Sequence, residues 1–207
     1  MAKITKIIRQ KKSSRINIYI EGDYAFSVFE SALIDYNLFK GREILAKEIK
    51  SIKDQDDFQK CMESSFRYLS YRPRSEKEVK DKLRRKYSPN NVDGVIKKLK
   101  EKDYINDKEF VRFWLENRIK NRGPLLLKNE LRQKGIRDEL IKSALSGFNR
   151  NQIIDNAKTL ILSNRRFKGL DEKESFRKIT PYLARRGYPF EIIKETLKEI
   201  TKKTSAE

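Results

Sequence analysis

The sequence contains no histidine and a single cysteine, Cys61. Without histidine, Ser-His-Asp and Cys-His nucleophile systems cannot be assembled, nor can the usual catalytic zinc sites. One cysteine makes neither an internal disulfide nor a Cys-rich zinc site, so Cys61 is expected as a buried small apolar residue. Glycine is sparse too: the eight present are scattered at turns and helix ends, and neither a G-x-x-x-x-G-K-[ST] phosphate loop nor an EF-hand loop occurs. No apolar run approaches a membrane span, and Met-Ala-Lys-Ile-Thr-Lys-Ile-Ile-Arg holds no signal-peptide core, so a cytoplasmic setting without membrane contact is expected. Hydrophobic residues make up 37% of the 207. That is lean for one large core and suits several small helical units, each with a narrow apolar stripe. Aromatic residues, at 10%, argue against a disordered polyampholyte.

Positive charge is abundant. Forty-nine Lys and Arg stand against thirty Asp and Glu, a net charge of +19. The excess is spread along the chain: residues 1–55 carry 11 cations against 7 anions, 56–106 carry 14 against 9, 107–150 carry 11 against 6, and 151–207 carry 13 against 8. A basic tail would have concentrated it. An extended basic surface suits a long polyanion, where each phosphate contact adds affinity through counterion release; solubility is the plainer use of the same charge.

Residues 1–55 read as a small antiparallel β-hairpin unit with a short helix. Ile4, Lys6 and Ile8 alternate weakly, and Ile16, Ile18 and Ile20 alternate clearly. Lys11-Lys12-Ser13-Ser14 makes the first hairpin loop, Glu21-Gly22-Asp23 the second turn, and Tyr24–Val28 the next extended segment. Phe29–Tyr36 suits a short helix, and another is expected from about Glu43.

From residue 56 the period is helical. Phe58, Cys61, Met62, Ser65, Phe66 and Leu69 share one stripe, ended before Pro73. Ser75 and Glu78 make a capping box ahead of Val79 and Leu83, and Ser88-Pro89 opens a helix bearing Val92, Val95, Ile96 and Leu99. The plan recurs. Asn106–Glu109 caps a helix with Phe110, Phe113, Trp114 and Ile119; Gly123-Pro124 opens one with Leu127 and Leu131, closed by Gly135; Leu140, Ile141 and Leu145 follow. A third copy holds Ile154, Ala157 and Ile161, then a cap at Asp171–Glu174 with Phe176, Ile179 and Leu183 up to Gly187, then Pro189 with Ile192, Ile193 and Leu197. Leu83-Arg84-Arg85-Lys86, Leu131-Arg132-Gln133-Lys134 and Leu183-Ala184-Arg185-Arg186 correspond at offsets of 48 and 52. A period near 50 predicts tandem three-helix repeats over 56–106, 107–150 and 151–207.

No reacting constellation is evident. Glu76 with Glu78, and Glu172 with Glu174, lie where helix starts favour negative charge, so they are read as caps in preference to a metal or acid–base pair. No enzymatic activity, metal or cofactor is expected. The candidate residues are basic. Arg72, Arg74, Lys77, Lys80, Arg84 and Arg85 belong to the first copy, Arg118, Arg122, Arg132 and Lys134 to the second, Arg165, Arg166, Arg185 and Arg186 to the third. On the helix after Ser75, Lys77, Lys80, Arg84 and Arg85 fall largely opposite Val79 and Leu83. The plainer reading of any one of these is a solvated helix surface with i,i+4 pairs such as Glu76 with Lys80. No recognition helix, zinc finger or RNP-like strand is present, so binding is expected to the phosphate backbone of single- and double-stranded DNA without sequence specificity.

Four segments in order, Tyr71-Arg72-Pro73-Arg74-Ser75-Glu76-Lys77-Glu78-Val79, Tyr104-Ile105-Asn106-Asp107, Arg122-Gly123-Pro124 and Glu130-Leu131-Arg132-Gln133-Lys134-Gly135-Ile136, resemble the linked motifs of the RecX family of recombination regulators. The leading segment Ile4–Leu45, with Ile18–Phe26 inside it, resembles the N-terminal extension of its longer members. The sequence departs from the family at Asn106, where an acidic residue is frequent, and at Leu125 and Leu127, which replace a more basic pattern. The third copy matches least. The resemblance implies a mainly α fold of tandem three-helix units in an elongated, curved array. It implies a non-catalytic modulator of the RecA filament, contacting protomers and DNA phosphates through the fourteen basic residues above. Such a modulator would bias filament assembly, ATP hydrolysis, strand exchange and SOS co-protease activity, and would act as a monomer. The leading alternative is a RecA-independent architectural DNA-binding protein; a third is an adaptor that grips a protein by edge-strand addition to the hairpin.

Overall fold

The structure is a computed structural model that describes residues 2–11 and 13–204, with side chains through Thr201. Lys12 of the expected first loop, Met1 and residues 205–207 lie outside the described residues. The chain is mainly helical, with a small antiparallel sheet in front, and divides into two compact units: residues 1–71 with 79–102, and residues 72–78 with 103–207.

In the first unit, β1 (Ala2–Arg9), β2 (Arg15–Ile20), β3 (Asp23–Phe29) and β4 (Glu43–Ile44) form one antiparallel sheet in the order β3-β2-β1-β4. Ile16 and Ile18 join Ile4, Phe26, Val28, Leu38, Ile44 and Ile52 in its core. The weak alternation of β1 has a local cause: its register slips between Ile4 and Lys6, so its two ends present different faces. Glu21 and Gly22 have φ of 51° and 97°, the two left-handed residues that a tight type I′ hairpin turn requires. The short helix α1 spans Ser31–Asp35.

Two expectations need correction here. Glu43 does not open a helix; with Ile44 it pairs with Lys3 and Ala2, and a two-residue strand carries no period to read. The helices expected on either side of residue 55 are one, α2 (Ala46–Leu69, 24 residues). No proline or glycine interrupts residues 42–72, and the buried stripe changes its surroundings along the way: Ile52 sits in the sheet core, Cys61 and Ser65 lie further along. Asp56 fastens α2 to the sheet, receiving Arg15 of β2 at 2.7 Å and Lys60 at 2.8 Å.

Helices α3 (Glu76–Arg84) and α4 (Pro89–Glu101) bury Val79, Leu83, Val92, Val95, Ile96 and Leu99, as their spacing requires. Ser88 caps α4 by accepting from the Asn91 N–H. Cys61 is fully buried, and burial pushes its thiol up to about 11. Phe66, expected on the inner stripe, is 41% exposed.

In the second unit, α5 (Asp107–Arg118), α6 (Pro124–Gln133) and α7 (Asp138–Ser146) enclose Phe110, Val111, Trp114, Leu115, Leu127, Leu131, Ile136 and Ile141. Helices α8 (Arg150–Leu162), α9 (Glu172–Arg185) and α10 (Phe190–Thr204), with a 3-10 turn at Arg165–Phe167, enclose Ile154, Ala157, Ile161, Ile179, Leu183, Tyr188, Ile193 and Leu197. Phe176, also expected inside, is 50% exposed.

Helices α6 and α9 end in the same way. Gly135 and Gly187 turn left-handed (φ 79° and 81°), and the next residues, Ile136 and Tyr188, donate back to Leu131 and Leu183. This is the Schellman closure, with Ile136 and Tyr188 as its buried apolar contacts. Near α3, Lys86 and Tyr87 stand where the glycine would be, and both N–H groups return to the Leu83 carbonyl without a left-handed residue.

Candidate nucleic-acid interface

The basic residues are arranged by helix ends. The end of α6 receives the segment 72–78. Ser75, fully buried, accepts from the Glu78 N–H and donates its hydroxyl to the Lys134 carbonyl at 2.8 Å. Lys77 donates to the Gln133 carbonyl at 3.0 Å. The end of α9 receives the start of α6 through the backbone: the Gly123 N–H donates to the Arg186 carbonyl at 2.7 Å and the Leu125 N–H to the Gly187 carbonyl at 3.0 Å. The free N–H groups that begin α6 thus meet the free carbonyls that end α9, so opposite ends of two helix dipoles satisfy each other. A Cβ on Gly123 would lie 2.4 Å from the Gly187 carbonyl carbon, and a Cβ on Gly187 would lie 2.3 Å from the Leu126 nitrogen, so no other residue fits at either place.

The first junction gathers charge. Around the buried ring of Trp114 stand Arg118 at 3.9 Å, Lys134 at 5.2 Å and Arg72 at 5.9 Å from its centroid. The Trp114 indole N–H donates to Glu130 at 2.9 Å. Glu130 also binds Arg122, and Arg118 lies 3.7 Å from it. Glu78 takes Arg72 at 2.9 Å and Lys134 at 2.7 Å. Burial would raise the Glu78 carboxyl, but hydrogen bonds from Arg72 and Lys134 outweigh it and hold the group below the usual carboxylate range. Four cations, two carboxylates and one indole form a partly exposed cluster with a net charge of +2 and side chains held in fixed positions.

Sequence reasoning took Glu78 as half of a capping box and missed its main use. Ser75 caps the Glu78 N–H as expected, but the Glu78 carboxylate turns to Arg72 and Lys134. Glu130 was missed outright. The repeat gave no signal for it: Glu78 lies five residues ahead of Leu83 and Glu130 only one ahead of the equivalent Leu131, so the two are not matched positions. Asn106 and Asp171 likewise cap with their own side chains, while Glu174 pairs with Lys178.

The other candidates are dispersed. Lys80 pairs with Asp93 at 3.0 Å and Arg132 with Asp138 at 2.7 Å. Arg74 is partly buried between Pro73 and Ser75. Arg186 stacks on Tyr182, its guanidinium 3.8 Å from the ring centroid. Arg84, Arg85, Arg165, Arg166 and Arg185 are exposed and make no ion pair with a described residue. Apart from Arg74, these residues divide into those held by a carboxylate, a carbonyl or an aromatic ring and those whose charge faces water.

Three family models match this chain: the Regulatory protein RecX N-terminal domain at residues 2–45, the first RecX three-helix domain at 61–104 and the second at 106–145. A regulatory protein RecX of Bacillus velezensis is 39% identical over 201 residues, covering 95% of this chain and 76% of the relative. That of Bacillus subtilis is 37% identical over 202 residues, with 95% and 76% covered. That of Listeria innocua is 36% identical over 204 residues, with 96% and 76% covered. A crystal structure described as regulatory protein RecX superposes with a TM-score of 0.74 at 33% identity, covering 96% of this chain and all of that one. A RecX structure from Lactobacillus salivarius gives 0.65 at 28% identity, with 71% and 98% covered. By sequence along nearly its whole length and by fold, the chain belongs to the RecX family of regulatory proteins.

Proposed function

We propose that this protein regulates RecA, by binding the RecA–DNA filament through a basic helical surface and altering its assembly, ATP hydrolysis, strand exchange and SOS co-protease activity. The observation that carries the reading is the cluster around Trp114. Arg72, Arg118, Arg122 and Lys134 outnumber Glu78 and Glu130 and are fixed by them, so a phosphate or acidic protein group meets preoriented donors whose entropy of ordering is already spent. The exposed cations Arg84, Arg85, Arg165, Arg166 and Arg185 supply the longer-range attraction that a filament of DNA and protein answers. Residues 56–106, 107–150 and 151–207 act as successive copies of one three-helix plan in a monomer, so that a single chain reaches several phosphates or protomers without reading bases.

Cosedimentation tests the proposal. The protein should pellet with RecA filaments on single-stranded DNA more tightly than with either RecA or DNA alone. Equal affinity for bare DNA and for the filament favours the architectural DNA-binding alternative and contradicts RecA regulation.

A further inference from the structure

Four lysines outside the set above, Lys47 and Lys50 on α2 and Lys97 and Lys98 on α4, face one cleft of the first unit. On α2 the cleft takes residues 47, 50, 51, 54, 55 and 58, which recur every three or four positions and so share one face. On α4 it takes Asn91, Gly94, Lys97, Lys98 and Glu101. The opening consists of adjoining hollows of about 470 Å³ and about 340 Å³, with Gln55 and Phe58 common to both. Phe58, partly buried, lines both. Its ring passes 3.1 Å from the place of a Cβ on Gly94, so a side chain at position 94 would crowd it. Lys98 stands over the same ring, its ammonium 4.7 Å from the centroid.

The charges are unbalanced. All four lysines are exposed, and none makes an ion pair with a described residue. Against them the cleft sets only Asp54 and Glu101. Lys47 and Lys50 line one hollow with Asp54, and Lys97 and Lys98 line the adjoining one with Glu101, so each hollow carries an excess of one positive charge and the potential along the pair is positive. From Lys47 to Phe58 the α2 wall extends about 16 Å at the helical rise, room for more than one phosphate. Lysines along a groove and an aromatic ring lining it are the two elements of single-strand binding: phosphates on the cations, a base on the ring.

We propose that this cleft is a binding site for single-stranded nucleic acid, with Lys47, Lys50, Lys97 and Lys98 on phosphates and Phe58 beneath a base. The inference rests on the reading of a DNA-associated regulator and adds to it a place for the single strand on the first unit. An acidic protein segment would satisfy the lysines but would have no use for the ring.

The test uses the full chain without RecA, so that its failure leaves RecA regulation untouched. Binding of a fluorescein-labelled oligo-dT is followed by anisotropy across a salt series, with poly-glutamate as competing polyanion. A Lys47→Gln/Lys50→Gln/Lys97→Gln/Lys98→Gln variant should bind at least about tenfold more weakly at low salt, and its slope of log K against log salt should be shallower by up to about 3, from roughly 0.7 per phosphate contact. Phe58→Leu should weaken binding about 5- to 100-fold with the slope unchanged, the range that one lost base stack accounts for. Retained affinity and slope in the lysine variant overturn the proposal. So does a Phe58→Leu protein that binds oligo-dT as tightly as the parent, or poly-glutamate that competes as well as unlabelled oligo-dT. Should Phe58→Leu fail to melt cooperatively, the surface lysine variant and the competition decide the matter alone.

Discussion

The two junctions of the second unit join the same kinds of helix end by different means. At Ser75 a side chain does the work: one hydroxyl caps Glu78 and reaches the Lys134 carbonyl. At Gly123 the backbone does it, with two N–H groups meeting the carbonyls of Arg186 and Gly187 and no side chain between them. The side-chain version leaves room for Arg72, Glu78 and Lys134 to gather beside Trp114, whereas the backbone version brings Gly123 and Gly187 too close for any Cβ. Both junctions are close, since a Cβ on Gly135 would lie 2.8 Å from the Lys77 Cβ, but at Gly135 the neighbour is a side chain and at Gly123 and Gly187 it is backbone. The charged one is where the candidate interface lies.

The largest effect expected from breaking this contrast is at Gly187. Gly187→Ala puts a Cβ in a left-handed backbone and 2.3 Å from the Leu126 nitrogen, and should cost more than about 3 kcal/mol in urea unfolding. Gly123→Ala separates the two causes, since its φ of −77° suits alanine and only the close approach opposes it. A cost near that of Gly187→Ala assigns the penalty to packing; a much smaller one assigns it to backbone conformation.

Ser75→Ala should cost about 1–2 kcal/mol, because it removes an N-cap and the hydroxyl that donates to the Lys134 carbonyl together.

Glu78→Gln sharpens the electrostatic half of the comparison. The carboxyl is held low in the folded protein by Arg72 and Lys134, so its contribution is present above the unfolded carboxylate range, near pH 4.3, and is lost as pH falls through the lower folded value. Wild type should lose stability on acidification below about pH 4, and Glu78→Gln should lack that component while binding DNA more tightly at neutral pH. Urea midpoints measured across pH check both signs.

The smallest stability effect, within about 0.5 kcal/mol, is expected for Arg165→Ala/Arg166→Ala, which are exposed and make no ion pair with a described residue. Their loss should appear as a weaker salt dependence of DNA binding.

The helical plan was legible because its signals are local. Ser88-Pro89, Gly123-Pro124 and the glycines 135 and 187 mark starts and stops by backbone chemistry, and the stripes of Val92–Leu99 and Leu127–Leu131 need only the helical period. What escaped was non-local or too short to be periodic. Strand β4 has two residues. The continuity of α2 depends on a buried stripe whose surroundings change along its length. Phe66 and Phe176 have core spacing, but a stripe gives a face and not its depth of burial. In the candidate site, the cations were readable as an excess, whereas their anchoring by Glu78 and Glu130 needed the fold to bring segment 72–78 to the end of α6. Lysines 47, 50, 97 and 98 escaped for the same reason: two helices had to meet before their faces made one cleft.

RecA's ATPase on single-stranded DNA, titrated with this protein at substoichiometric ratios, tests the central claim most directly. An Arg84→Ala/Arg85→Ala/Arg165→Ala/Arg166→Ala variant belongs alongside, because its substitutions are all exposed and disturb no ion pair among the described residues. The account predicts a dose-dependent change in steady-state turnover with the parent chain, much reduced in the variant. Unchanged turnover with the parent chain, under conditions where it binds DNA in a salt-sensitive way, would contradict it.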